Sequence, residues 1–178
     1  MAARRSEVIE CHVAPSPLGP ILYRAENDAL TGLYFVGQKH YPKGIAEPAL
    51  SDSRAVSRVI GQARDEVDEY FAGARQTFSI ALNLGGTPFQ RQVWDQLRQI
   101  PFGEAWTYGD LARRLGLPPG ASRAVGGANG RNPVAIIVPC HRVIGGNGEL
   151  TGYAGGVDRK RHLLTLEGGK GREQLALF

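Results

Sequence analysis

The sequence predicts an α+β fold in which a small N-terminal α/β domain precedes a mainly helical C-terminal domain. Three observations support this prediction. Short runs rich in β-branched and aromatic residues alternate with turn formers near the N-terminus, which is typical of antiparallel strands. Apolar residues then recur at helical spacing in one longer segment, and short helical patterns follow Gly85-Gly86. The length, 178 residues, is sufficient for two small domains.

Three strands and one helix account for most of the N-terminal part. Strands are predicted at 8–14, 21–25 and 30–36, separated by turns rich in Pro, Gly, Asn and Asp, which indicates an antiparallel meander. The segment Ser51-Asp52-Ser53 has good N-cap chemistry, so the helix carrying the apolar positions from Val56 to Phe71 is expected to begin there. One more strand is predicted at 77–84.

Short helices dominate the C-terminal part. Thr87 and Pro88 are favourable N-cap and first helical residues, and this helix is expected to end near Pro101. The Thr-x-x-Asp spacing at 107–110 predicts a second helix that stops at Gly116. A third helix, at 121–129, follows a Gly/Pro turn. The last two helices fit a helix-turn-helix, although many helical hairpins do not bind DNA.

The chain is divided at Leu84-Gly85-Gly86, the best candidate linker. We assign residues 1–86 to the N-terminal domain, 87–170 to the C-terminal domain and 171–178 to a tail. Charge follows the same division, because the first 86 residues carry nine Lys or Arg and ten Asp or Glu, whereas the remainder carry twelve and seven. The basic half is therefore expected to meet phosphate, unless its charge serves only solubility.

Composition indicates a folded, soluble protein, with 42% hydrophobic and 21% charged residues. The N-terminus lacks the apolar stretch of a signal peptide and no run approaches the roughly 18 apolar residues of a membrane span, so we expect a cytoplasmic protein with no membrane partner. The two cysteines, Cys11 and Cys140, are expected to be free thiols. Because the four histidines are scattered, we expect no metal and no cofactor.

The third C-terminal helix is unusually poor in large side chains. Between Ser122 and Gly130 it carries small residues, Val125, Asn129 and one long side chain, that of Arg123. Each helical glycine costs about 1 kcal/mol relative to alanine, so something must approach this backbone closely. Two explanations are open: packing against another helix, or a helix lying against a narrow nucleic-acid groove with Arg123 projecting from it.

Cys140 follows the apolar run 134–138 within Pro139-Cys140-His141-Arg142. A free cysteine beside a buried run is usually a small core residue. A nucleophilic cysteine needs a base or a cationic neighbour, and His141 is adjacent in sequence. Adjacency alone does not establish a hydrogen bond, so the residues by themselves leave both interpretations open.

The segment Ile137-Val138-Pro139-Cys140-His141-Arg142-Val143-Ile144 resembles the acceptor-cysteine motif of the O6-alkylguanine-DNA alkyltransferase family, the methylated-DNA–protein-cysteine methyltransferases. Further matching motifs fall in the family's order at 89–94, 100–103, 107–108, 123–129, 132–133, 152–156 and 163–167. The resemblance covers almost all of the C-terminal half and implies a winged helix-turn-helix domain. The N-terminal half resembles the family's ribonuclease-H-like domain only in size, element order and the Ser16-Pro17-Leu18-Gly19 turn.

The resemblance implies a role for each site residue. Cys140 would accept the alkyl group, His141 would relay its proton through a water, and Glu167 would orient His141. Asn132 would tie the turn before the active site to neighbouring backbone. The flipped base would be bound by Tyr153, the backbone N–H of Ala154 and the carbonyls of Cys140 and Val143. Tyr108 would hydrogen-bond the flipped guanine or help to rotate its phosphate out. The DNA would be contacted by the small-residue helix, through Arg123 as an arginine finger and through Ala124, Gly126, Gly127, Ala128 and Asn129.

The implied function is DNA repair by direct reversal. The protein would bind double-stranded DNA containing O6-alkylguanine through the minor groove, as a monomer whose cooperativity on DNA is left open. The damaged base would flip out, and a methyl or larger alkyl group would pass from O6 of guanine, or O4 of thymine, to Cys140. Thiol exchange does not reverse a thioether, and no second cysteine lies near Cys140 in the sequence. Each molecule would therefore act once.

Two departures and two rival functions accompany the resemblance. Ala154 stands where some relatives have a Ser whose hydroxyl can support the substrate oxygen, and the zinc ligands of some relatives are not visible here. One rival is a Cys hydrolase that uses Cys140 and His141 with turnover, which leaves Arg123 and its helix unexplained. The other is a non-catalytic lesion-binding module, against which the presence of Cys140 argues.

Overall fold

The computed structural model describes residues 8–168, and the predicted tail at 171–178 lies outside them. The N-terminal part consists of strands β1 (Ile9–Ala14), β2 (Ile21–Glu26) and β3 (Ala29–Phe35) and helix α1 (Arg58–Phe71). The C-terminal part contains α2 (Pro88–Leu97), β4 (Trp106–Thr107), α3 (Tyr108–Arg114), α4 (Ser122–Gly130), β5 (Val143–Ile144) and α5 (Val157–Leu166), with 3-10 turns at Pro119–Ala121 and Cys140–Arg142. The predicted α+β class is confirmed.

The three N-terminal strands form the predicted antiparallel meander, in the order β1-β2-β3. In the central strand, Tyr23 lies opposite His12 of β1 and Leu33 of β3. Helix α1 packs against β2 and β3 through an apolar face that includes Ile60 and Val67, and both side chains are fully buried.

The predicted start of α1 at Ser51-Asp52-Ser53 is wrong. The N-cap is Ser57, whose hydroxyl accepts a hydrogen bond from the backbone N–H of Ile60 at 3.3 Å. The earlier segment instead wraps around the buried guanidinium of Arg64, which binds the Asp52 carboxylate at 2.9 Å and donates to the carbonyl of Ser53. Its cap-forming residues therefore serve a tertiary contact rather than the helix.

The strand predicted at 77–84 is also wrong as a regular strand. Only an isolated bridge joins Leu82 to Leu30, because the N–H groups of Ser79 and Ile80 donate to the carboxylate of Glu66, at 3.0 and 3.3 Å. Glu66 lies in α1, and its side chain is buried. A side chain on the helix therefore takes the donors that a strand partner would have used.

The three predicted C-terminal helices form, although α2 ends at Leu97 rather than near Pro101, and the N-cap predicted at Thr87 and the capping box predicted at 107–110 are both present. Thr87 exchanges hydrogen bonds with Gln90 at the start of α2, and Thr107 does so with Asp110 at the start of α3. Gly116, with φ of +70°, follows the end of α3, as predicted. Helix α5 was not predicted, because no side chain caps its N-terminus.

The two parts share one apolar core, and a backbone connection runs directly from the sheet to the segment before Cys140. The N–H of Leu33 in β3 donates to the carbonyl of Pro133, and the Leu33 carbonyl accepts from the N–H of Ala135, at 2.9 and 3.0 Å. The N-terminal sheet thus positions the turn that leads to Cys140. Within residues 8–168, no helix has the length and apolar character needed to cross a membrane.

Candidate active site

Cys140 is held by a tight, buried turn. The predicted apolar run 134–138 is buried, but it folds as a turn with Ile136 at φ of +70°, a conformation rare for a β-branched residue. Asn132 spans this turn, because its side-chain amide donates to the carbonyl of Val138 at 2.7 Å and its side-chain oxygen accepts from the N–H of Val134 at 3.0 Å. Cys140 as a residue is 5% exposed, and both cysteines are free, as predicted.

Glu167 joins two consecutive residues that follow the thiol. Its side chain lies at the C-terminal end of α5, and Oε1 is 2.7 Å from Nε2 of His141. Arg142 grips the same carboxylate with two hydrogen bonds of 2.9 Å, from Nε to Oε2 and from Nη2 to Oε1. Its remaining nitrogen, Nη1, donates to the carbonyl of Ile100 at 2.6 Å. The result is a buried network that fixes the imidazole ring.

The protonation states in this network follow from the contacts. Burial tends to raise the pKa of Glu167, but the hydrogen bonds and charges of His141 and Arg142 prevail and lower it to about 2. Burial also lowers the pKa of His141, in opposition to the effect of Glu167. A neutral imidazole that donates Nε2–H to an ionised carboxylate has an unprotonated Nδ1. Among the residues that the structure describes, His141 Nδ1 has no hydrogen-bond partner.

Burial raises the pKa of the Cys140 thiol and outweighs the hydrogen bond from Asn132 and the charge of Lys160, which both lower it. In the free protein we therefore expect a neutral thiol beside a neutral imidazole. Such a pair can generate a thiolate when the imidazole accepts the proton, directly or through a water. The arrangement is suited to an attack by sulfur that is triggered only when an electrophile is in place.

A cavity of about 330 Å³ lies between α4 and the loop that precedes α5. This volume is within the usual range of ligand pockets, about 300–1,000 Å³. Tyr153 and Ala154 form one side and Gly126 and Gly127 the other. The loop after β3 closes the rim, where the N–H of Lys39 donates to the carbonyl of Ala154 at 3.0 Å. Both structural parts therefore shape this cavity.

Two tyrosine hydroxyls lie within electrostatic range of the thiol. Burial and the charge of an ionised Cys140 both raise the pKa of Tyr108 and that of Tyr153, so both phenols stay protonated. Tyr108 donates to the carbonyl of Thr151 at 3.3 Å. The hydroxyl of Tyr153 is buried and has no partner within the described part of the chain. The hydroxyl of Tyr153 is therefore free to donate to a ligand, whereas Tyr108 can donate to one only by giving up its bond to Thr151.

Helix α4 presents a bare face to solvent. Arg123, Ala124 and Gly127 are exposed, and a Cβ added at Gly127 would meet no atom within 4 Å. Ala128 and Asn129 lie on the buried side, where the Ala128 carbonyl accepts a hydrogen bond from the indole of Trp94 at 2.9 Å. Packing of helices therefore accounts for the buried side only, and the exposed side is open to a partner.

Models of two domains of one family match the chain. The ribonuclease-like domain of 6-O-methylguanine DNA methyltransferase matches residues 9–84, and the DNA binding domain matches residues 88–169. The chain belongs to the 6-O-methylguanine DNA methyltransferase family. A methylated-DNA–protein-cysteine methyltransferase of Mycobacterium leprae is 45% identical over 171 residues, which are 96% of this chain and 99% of the relative. One from Methanosarcina acetivorans is 47% identical over 154 residues, 86% of this chain and 94% of the relative.

A solved structure from the same family has the same fold. The crystal structure of Mycobacterium tuberculosis OGT in complex with DNA superposes with a TM-score of 0.78 at 42% identity, and the match covers 93% of this chain and 98% of that one. Together with the two domain models, this confirms the predicted family and the predicted order of a ribonuclease-like domain and a DNA-binding domain.

The structure brings together most of the residues that the family resemblance singled out. Cys140, His141 and Glu167 form one buried cluster with Asn132, and the charge of an ionised Cys140 reaches Tyr108 and Tyr153 and raises the pKa of each. Arg123, Ala124 and Gly127 lie on the exposed face of α4, whereas Ala128 and Asn129 face inward.

Three residues at the site were not predicted from the sequence: Tyr70, Arg142 and Lys160. Arg142 was within the quoted motif, but its role was not inferred. Tyr70 falls among the apolar positions of the helix predicted from Val56 to Phe71, where its spacing indicates only a core residue. Lys160 gave no signal, since its burial depends on the whole fold.

Lys160 is a fully buried lysine next to the acceptor site. Its ammonium donates to the carbonyl of Thr151 at 2.9 Å and to the carbonyl of Val143, the group expected to read the flipped base. Burial lowers the pKa of Lys160 to about 8, against the opposing charge of Cys140. Lys160 therefore joins the cavity loop to the segment after the cysteine and provides a nearby positive charge.

Replacing Lys160 with Met is expected to raise the pKa of Cys140, because the ammonium charge that lowers it is removed. We expect alkylation of Cys140 by iodoacetamide at pH 8 to slow by about 3- to 10-fold, because a smaller fraction of the sulfur is then present as thiolate. The exposed Lys43→Met is the matched control and should react like the unaltered protein. Unchanged alkylation in K160M would contradict an electrostatic role for Lys160.

Proposed function

We propose that this protein repairs alkylated DNA by a single-turnover transfer of a methyl or larger alkyl group from O6 of guanine, or O4 of thymine, to Sγ of Cys140. The observation that carries the proposal is the buried thiol beside His141, whose Nε2 is engaged by Glu167 at 2.7 Å. Relatives at 45 and 47% identity are named methylated-DNA–protein-cysteine methyltransferases, and the M. tuberculosis OGT was solved with DNA.

The proposed chemistry uses the neutral pair of thiol and imidazole. His141 Nδ1 accepts the thiol proton through a water, and the sulfur attacks the alkyl carbon. The S–C bond forms as the C–O6 bond breaks, and its electron pair stays with the base. Tyr108 donates a hydrogen bond to the leaving base, and the base becomes guanine by taking up, through water, the proton that His141 removed from the thiol. Glu167 stabilises the imidazolium formed during the step.

The DNA is held through the exposed face of α4. A sulfur atom cannot reach guanine O6 within a duplex, so the base must flip out of the stack towards Cys140, at a cost of a few kcal/mol. Arg123 fills the gap left in the base stack, while Ala124 and Gly127 allow the helix to lie close to the minor groove. Net positive charge in the C-terminal half attracts phosphate regardless of sequence. Lesion chemistry then determines specificity.

Residues 1–86 and 87–170 act in this proposal as one unit, since the cavity and the cysteine turn draw on both. The protein acts as a monomer. We place it in the cytoplasm, because an acceptor thiol must stay reduced and reducing compartments keep cysteines free.

Intact mass measurement tests the proposed function. After incubation with a duplex that contains O6-methylguanine, we expect the protein to gain one methyl group per molecule, on the peptide that holds Cys140. Cys140→Ala should gain none, since it lacks the acceptor sulfur. Cys11→Ser is the matched control and should gain one, because Cys11 lies in β1, far along the chain from the site.

The same experiment separates the rival functions. A Cys hydrolase would turn over and keep no alkyl group, and a lesion-binding module would bind the duplex with an unchanged mass. Either outcome would overturn the proposed transfer.

A further inference from the structure

Glu167 accepts hydrogen bonds from both domains. From the N-terminal domain, the hydroxyl of Tyr70 in α1 donates to Oε1 at 2.8 Å, across 97 residues of sequence. Tyr70 is 1% exposed, so bulk water does not compete with the carboxylate for its hydroxyl. The candidate catalytic carboxylate is therefore in direct contact with a helix that carries no other residue of the proposed site.

The oxygen that receives the Tyr70 hydroxyl is the one that binds the imidazole. Oε1 accepts from Tyr70 at 2.8 Å, from His141 Nε2 at 2.7 Å and from Arg142 Nη2 at 2.9 Å, whereas Oε2 accepts from Arg142 Nε at 2.9 Å. Donors that share one carboxylate oxygen each reduce the negative charge available to the others. Tyr70 and His141 thus compete for the same oxygen.

Aromatic packing keeps Tyr70 in this position. Its ring lies against Phe71, Phe78 and Phe102, with centroid separations of 5.6, 5.7 and 6.3 Å. Burial and the charge of Glu167 both raise the pKa of Tyr70, so the hydroxyl remains a donor across the whole working range of pH. The ring cannot turn away without disrupting an aromatic cluster at the domain boundary.

We propose that Tyr70 is a positioning residue that sets the basicity of His141 toward Cys140 by taking part of the negative charge of Glu167. Through this hydroxyl the ribonuclease-like domain takes part in activating the acceptor thiol. The inference rests on the proposed function, since it assigns His141 as the base for Cys140. It adds that Tyr70, a residue outside the DNA-binding domain, modulates the basicity of His141.

The physical consequence has a definite sign. When the Tyr70 hydroxyl is removed, Glu167 interacts more strongly with His141, and an opposite charge favours the protonated imidazolium. The pKa of His141 rises, so the neutral base is present only at higher pH. The acidic limb of the rate profile, which reports the essential base, should move in the same direction.

Tyr70→Phe tests the proposal, because it deletes the hydroxyl and keeps the ring in its aromatic cluster. We expect the acidic limb of the single-turnover transfer rate, measured from pH 5 to 9 on duplex DNA, to move up by about 0.5 to 1 pH unit. Tyr23→Phe is the matched control, since Tyr23 is equally buried in the same domain and pairs with β1 and β3 rather than with Glu167. Its profile should superpose on that of the unaltered protein.

If Tyr70 has only a structural role, Y70F should have a lower rate or stability but an unchanged acidic limb in its pH–rate profile. That outcome would overturn the proposal. Incorporation of 3-fluorotyrosine keeps the ring and strengthens the hydroxyl as a donor, so it should move the limb down. This shift should vanish in the Y70F background, and its persistence there would contradict a role for Tyr70.

An NMR titration of His141 in the unreacted protein separates this inference from the proposed function. It needs no DNA and no transfer. A higher His141 pKa in Y70F, in a protein that gains no methyl group from damaged DNA, would sustain the coupling and refute the transfer. An unchanged His141 pKa in a protein that does gain the methyl group would refute the coupling alone.

Discussion

Glu167→Gln is expected to lower the free energy of unfolding by about 3–5 kcal/mol, because it leaves the buried guanidinium of Arg142 without its counter-charge. Arg142 is 6% exposed, and both of its bonds to the carboxylate are 2.9 Å long. A neutral amide also places an NH₂ group where the carboxylate accepted hydrogen bonds from His141 and Tyr70. Urea unfolding at pH 7 measures the loss, with Glu149→Gln as an exposed control that should change stability little.

The loss of unfolding free energy in E167Q should depend on pH. The pKa of Glu167 is lowered from 4.5 to about 2 in the folded protein, so its stabilising effect is fully present above about pH 4.5. It is lost as the pH falls through 2, because the carboxyl is then protonated in both states. The difference in unfolding free energy between E167Q and the unaltered protein should therefore be constant near neutrality and shrink between pH 4.5 and 2. A deficit independent of pH over that window would rule out the ionised pair as its source.

The same variant should slow alkyl transfer by about 100-fold, since Gln cannot stabilise the imidazolium of His141 as a carboxylate does. This factor corresponds to roughly 2.7 kcal/mol of lost stabilisation in the transition state. The rate is measured under single-turnover conditions at a temperature where E167Q is folded. A rate within a factor of two of the unaltered protein would mean that Glu167 is structural only.

Local signals in the sequence predicted the fold where local chemistry decides it. The capping boxes at Thr87 and Thr107 involve residues three positions apart, and both helices begin as predicted. The errors arose where a distant side chain intervened. Glu66 accepts hydrogen bonds from the N–H groups of Ser79 and Ile80, and Arg64 of α1 binds Asp52 in the segment that was expected to cap the helix. The secondary-structure propensities of the residues nearby do not indicate such tertiary contacts.

The candidate site was likewise predictable where its residues are neighbours in the sequence, but not where they are far apart. Cys140 and His141 are adjacent, and a motif marks them. In contrast, Tyr70 and Glu167 are 97 residues apart, and a tyrosine at an apolar helix position is ordinarily assigned to the core. Lys160 could not be predicted, because lysine is rarely buried and only the tertiary fold supplies its two carbonyl acceptors. Helical spacing also does not reveal that Ala128 and Asn129 face inward while Gly127 faces out.

Arg123→Ala is expected to slow repair of O6-methylguanine in duplex DNA by about 10- to 100-fold and to leave the reaction with free O6-benzylguanine nearly unchanged. Flipping a base costs a few kcal/mol, and a stacked guanidinium offsets part of this cost only when a duplex is present. Arg123 is exposed on α4, so its removal should not disturb the buried network of Glu167. Single-turnover rates at saturating protein measure the step after binding.

The matched control is Arg161→Ala, which removes the same charge from the exposed side of α5. Loss of a positive charge weakens attraction to phosphate in both variants and affects binding at low protein concentration. It does not affect the saturated rate of base flipping. If Arg123 acts as a finger, only R123A loses the saturated duplex rate. Equal losses in the two variants, or equal losses by R123A on duplex and free base, would reduce Arg123 to a phosphate contact or to a part of the folded scaffold.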